Sequence, residues 1–194
     1  VKYLVSPMLH DVFTATESQQ QTASFLFLII YAFARLFIGL VDKWINPIWS
    51  FRVVQLISVP AYIVCGILAM HGTSATAMWG FVACQCVIGF CLGAIKVIFF
   101  LILFEFYGPI NFGEAAIVTL SCAGLAGFLG PVVGWWTLSG HGQPAVPNAI
   151  EPNPNYQHDL GKWVANYNYI SAGVQALGCL LSFLLFPIDF KNYA

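Results

Sequence analysis

The chain has 194 residues, of which 59% are hydrophobic and only 8% charged, with a formal net charge of −1. An ordinary soluble domain carries about 25% charged residues, so this composition excludes a globular fold covered by water. The near-neutral balance also excludes the basic field of a nucleic-acid binder. What remains is an all-α integral membrane protein, with membrane lipid as its first partner.

Apolar windows of about 20 residues mark helices that cross a hydrocarbon core roughly 30 Å thick. Five such windows are expected here. Before them, residues 2–13 are apolar but too short to span, and they read as the last turns of a sixth helix, as if the chain were part of something larger. They lack the charged region, apolar stretch and cleavage site of a signal peptide. The polar run "TATESQQQTAS" then connects to the first span, about 22–41. The second span is about 52–70, the third about 77–104, the fourth about 114–137 and the fifth about 167–186. No stretch shows the ten-residue alternation of a membrane barrel. Between the last two spans lies a long loop, 138–166, rich in Pro, Asn and Gly; its length suits an interaction surface or a cap. Lys43, Arg52 and Lys191 gather on one side of the spans, against Lys2 and Lys162 on the other. The positive-inside rule places the first group inside.

Chemistry-bearing clusters are scarce. Cys65, Cys84, Cys86, Cys91, Cys122 and Cys179 all fall within spans, where they read as small packing residues. "CQC" at 84–86 lacks metal-site spacing, and His141, His158 and Asp159 share a loop without a further ligand on a fixed scaffold. No metal or cofactor is expected. Paired carboxylates and a nucleophile with its base are missing from the spans, so an enzyme is not expected either.

Lys96 lies well inside the third span, with no acid at i±3 or i±4. An intramembrane lysine is a functional-site hypothesis by default. It suits contact with an anionic substrate; the other readings are snorkelling to the inner face and pairing with Glu105 or with another chain. Gly124, Gly127, Gly130 and Gly134 recur every three or four residues, with Pro131 among them. This puts bare backbone on one helix face for close packing, and a bend at the proline adds gating freedom. Gly89 and Gly93 repeat the spacing one span earlier.

Two stretches resemble a known family. In "ARLFIGLVDKW", residues 34–44, Arg35, Gly39, Leu40, Asp42 and Lys43 follow the signature of the major facilitator superfamily at the end of the second helix of each half. "WINPIW" then departs from it. "FEFYGPINFGEAAIVTLSCAGLAGFLGPVVGW", residues 104–135, is similar to the passage between the fourth and fifth helices of a half in the oxalate/formate antiporter and monocarboxylate-transporter-like branch. There Glu105, Tyr107, Gly108, Pro109, Asn111, Phe112, Gly113 and the later glycines fall in place. The resemblance implies that residues 1–194 are the C-terminal half of a twelve-helix transporter, helices eight to twelve with a stub of seven.

It further implies transport of small organic anions, monocarboxylates or oxalate-like acids, by alternating access with a proton or an anion as coupling ion. Arg35, Gly39, Asp42, Lys43 and Glu105 would form the gating latch, unless Asp42 and Arg35 merely anchor the helix end. The partner would be the missing N-terminal half. The alternative expectation is a transporter-derived structural subunit docked on neighbouring subunits of a larger complex, such as a respiratory assembly. The membrane is then the plasma membrane or the mitochondrial inner membrane.

Overall fold

Side-chain caps decide where these helices begin. Thr16 Oγ1 accepts the Gln19 backbone N–H at 3.4 Å, and Gln19 Oε1 accepts the Thr16 N–H at 2.9 Å. This reciprocal capping box satisfies donors at the helix start. Helix α1 therefore runs Glu17–Val41, and the polar run expected as a connection supplies its first turns. In the same way Asn46 Oδ1 accepts from Ile48 N–H at 2.9 Å and Pro47 takes the first helical position. Proline costs nothing there, because its missing N–H had no helical partner. Helix α2 spans Pro47–Met70, so "WINPIW" is a helix start and the expected boundary at 52 was late.

Ser74 caps α3 through a 3.1 Å bond from Ala77 N–H. Helix α3, Ala75–Ser139, covers the residues of both the third and fourth expected spans and is interrupted only at Gly108, φ 65° and ψ 176°. Proline at 109 disfavours the α conformation for the residue before it, and only glycine takes this positive φ cheaply. Across the break the Phe112 ring sits 6.4 Å from that of Phe100 and 5.6 Å from that of Phe104. A straight helix would separate residues 100 and 112 by about 18 Å. The chain folds back at Gly108.

Helix α4 is Tyr156–Leu185. Residues 156–166, expected in the long loop, are helical instead. Gly161, Trp163, Val164 and Ala165 are buried there, while charged neighbours such as Lys162 keep the hydropathy low. A hydropathy window reads such turns as loop.

This computed structural model describes residues 9–10, 12–41, 44–71, 74–139 and 156–185. Among them are four long helices and no strand. Helix α2 packs against α3 and α4, and α1 packs against α3. Leu9, Val12 and Phe13 join the same core, Phe13 lying 5.1 Å from Phe81. Large apolar side chains such as Leu36, Leu40, Leu56, Ile117 and Leu184 stay exposed. Water would penalise these surfaces; lipid does not. Three helical segments, Glu17–Val41, Pro47–Met70 and Ala75–Ser121, are long and apolar enough to cross a membrane. The protein is membrane-embedded.

The α1–α3 seam is made by glycine. Ala23, Phe27, Ala34 and Ile38 form the buried face of α1. A methyl added at Gly89 would stand 2.8 Å from the Phe27 ring, and one at Gly93 would run into the Tyr31 carbonyl and lie 3.1 Å from Ala34 Cβ. Gly93→Ala is expected to push the two helices apart and cost about 1–3 kcal/mol, read as a lower melting temperature in detergent. Gly39→Ala, where an added methyl meets nothing within 4 Å, should leave stability unchanged or raise it by about 0.5–1 kcal/mol. Equal effects at both positions would remove the seam.

Candidate anion-binding site

Tyr31 and Arg35 stand one turn apart on α1, a spacing that places two side chains on one helix face. Arg35 Nη2 donates to Tyr31 Oη at 2.6 Å, and the guanidinium carbon lies 4.5 Å from the Tyr31 ring centroid. From α3, Lys96 Nζ reaches to 5.7 Å from the same centroid. Two cations from two helices thus share one aromatic ring. The seam explains why they meet: Gly93 is one turn before Lys96, and its bare α-carbon lets the Tyr31 backbone come close. Tyr31 is half-buried, while Arg35 and Lys96 are exposed at the rim.

Electrostatics make this arrangement informative. A cation against an aromatic face gains about 0.5–1 kcal/mol when exposed and about 2 when desolvated. The two centroid distances hold the charges within about 10 Å of each other. At an effective dielectric of 20 their repulsion is then about 1.7 kcal/mol or more. Among the described residues no carboxylate pairs with either one. An anion placed at the rim would turn that repulsion into two attractions.

Arg52 is the contrasting case. It is 8% exposed, donates from Nη2 to the Ser182 carbonyl at 3.0 Å, and lies 4.2 Å from the Phe183 ring and 5.0 Å from that of Trp49. Cys179 Sγ reaches back to the Arg52 carbonyl at 3.9 Å. Arg52 therefore fastens α2 to α4.

Of the residues singled out in the sequence, Arg35 and Lys96 are brought together although they had been given separate roles, latch and substrate contact. Asp42 and Lys43 lie outside the described residues. Gly39 is exposed on α1, and Glu105 is exposed near the break at Gly108. Gly124 is exposed, and an added methyl there would meet nothing within 4 Å. Gly127, Gly130, Pro131 and Gly134 lie on the helical backbone of α3. The close approaches that are visible fall elsewhere: at Gly89 and Gly93, at Gly66 against Tyr169, and at Gly161 against the Ala69 carbonyl. Tyr31 is the residue that sequence reasoning missed. Its signal was the four-residue spacing to Arg35. Comparison with protein-family models, curated proteins and solved structures yields no match.

The contrast between the cations is testable. Arg52→Ala removes a hydrogen bond from a charged donor and should cost about 1.5–3 kcal/mol, seen as a lower melting temperature. Lys96→Ala in the same assay should melt at or above the wild-type temperature, since it removes a charge that repels Arg35.

Proposed function

We propose that this chain is the C-terminal half of a major facilitator type carrier that moves small organic anions, monocarboxylates or oxalate-like acids, across a membrane by alternating access. The observation that carries this reading is the pair of cations, Arg35 and Lys96, on the Tyr31 ring. Charged side chains within spans are expensive and mark substrate or ion pathways. Two of the same sign at one seam favour an anionic ligand above all others. In such carriers the substrate sits between the two halves, near the bilayer midplane, and the missing N-terminal half would supply the opposite wall. Arg35 is six residues, about 9 Å, from the end of α1 at Val41. With Lys43 and Arg52 inside by charge bias, the site lies in the inner half of the spans. Asp42, with Lys43 and Glu105, then belongs to the gate at the inner mouth.

A second reading keeps one supporting observation. Beyond Gly108 the helix presents Ile110 (92% exposed), Ile117 and Val118 outward, a face that a neighbouring subunit could cover. A structural subunit of a larger membrane complex would then use Lys96 to meet an acid on that neighbour.

One substitution separates the two. In proteoliposomes holding the full-length gene product, Lys96→Gln should weaken lactate or oxalate uptake by about 10- to 150-fold, the range of a charge-assisted hydrogen bond. Insertion should survive, since the change removes a charge from the span. Dissociation of a native complex with uptake untouched would instead favour the subunit. If neither changed, Lys96 would be a snorkelling residue and the carrier reading would lose its support.

A further inference from the structure

We propose that Tyr31 is the positioning residue of this site: it holds Arg35 through its hydroxyl oxygen and Lys96 over its ring, and donates its own hydroxyl hydrogen to the bound anion. This rests on the anion-carrier reading above. A guanidinium has five donors and no acceptor, so in the 2.6 Å contact Arg35 donates and Tyr31 Oη accepts. That bond uses a lone pair and leaves the phenolic O–H to donate. Among the described residues Arg35 is the hydrogen-bond partner of that hydroxyl. An anion at the rim would therefore meet a guanidinium, an ammonium and a phenol, all three as donors.

The choice of tyrosine matters for charge. A carboxylate at position 31 would also hold Arg35, but it would neutralise the guanidinium and compete with the substrate for it. A phenol orients the guanidinium and leaves its full charge for the ligand. Arginine and lysine are long, rotamer-rich side chains, and fixing them on one ring before binding reduces what is lost on binding. The ring in turn is set from the other helix, because the Tyr31 carbonyl abuts Gly93. Lys96, one turn further along α3, comes into register with it.

The test uses the full-length protein in proteoliposomes with radiolabelled lactate and, separately, oxalate. Tyr31→Phe keeps the ring and removes the hydroxyl. It is expected to raise KM about 10- to 150-fold, as for one lost hydrogen bond with a charged partner, with kcat within about twofold and an unchanged melting temperature. Tyr31→Leu also removes the ring and should raise KM further. Tyr31→His restores an aromatic acceptor and should return part of the loss. A merely structural role would lower melting temperature and kcat together and would show no graded KM series. Wild-type KM in Tyr31→Phe and Tyr31→His, with uptake still lost in Lys96→Gln, overturns the positioning role and leaves the carrier reading in place. Wild-type uptake in both Lys96→Gln and Arg35→Gln overturns the carrier reading, and this inference with it.

Discussion

The carbonyl of Tyr31 lies against the bare α-carbon of Gly93, and the arrangement of charges depends on that contact. Helix α1 packs on α3, so its position is set by how closely the two backbones approach. Gly89 admits the Phe27 ring, and Gly93 admits the backbone itself. In lipid there is no hydrophobic drive between apolar helices, and close van der Waals packing at small residues takes its place. A β-carbon at 93 would move Tyr31 outward and carry its ring away from Lys96. Packing and site geometry are therefore one constraint here.

Helix α2 joins α3 and α4 by close approaches at glycine as well, with polar contacts added to them. Tyr169 crosses Gly66, Gly161 meets the Ala69 carbonyl, and Gln55 lies over Gly178. Cys65 Sγ points to the Phe81 carbonyl at 3.9 Å, and Arg52 closes the end of the pair on the Ser182 carbonyl. Backbone carbonyls are convenient partners because they occur at every turn and need no matching side chain. The same residue type thus has two fates. Arg52 is covered by rings and bonded to backbone, whereas Arg35 is exposed and, among the described residues, bonded to one phenol. Burial and partner, rather than charge alone, separate a structural arginine from one available to a ligand.

Much of the fold was legible because lipid acts as a solvent with a simple rule. Uniform apolar windows located α1, α2 and α3, and the FYGPINFG stretch announced a break that the structure compresses into Gly108. The boundaries were missed for a common reason. Thr16 with Gln19, and Asn46 with Pro47, are capping signatures, but a hydropathy window averages over them and starts each helix late. The first turns of α4 were lost in the same way, since Lys162 sits beside buried Trp163 and Val164. At the site, Arg35 had been read as one member of a latch with Gly39, Asp42, Lys43 and Glu105, because charges attract attention. Tyr31 is nearer, one turn away instead of two, and it looked like one more aromatic in an apolar run. Nothing in the sequence placed Lys96 opposite it, because that requires knowing which face of α3 meets α1.

What distinguishes this seam is where its unfavourable energy is kept. A charge at the centre of a bilayer costs about 3 kcal/mol on insertion scales, and a structural cation offsets that locally, as Arg52 does. Among the described residues Arg35 and Lys96 offset little of it, for a single phenol ring serves both and carries no charge of its own. Their mutual repulsion adds to the cost. A fold selected only for stability would gain by replacing either with an apolar residue, since the surrounding helices already pack through glycine and aromatic contacts. In the carrier reading proposed above, an anion entering between the two cations would recover part of the free energy withheld from folding. Stability forgone at the rim of α1 and α3 would then be the physical source of affinity for that anion.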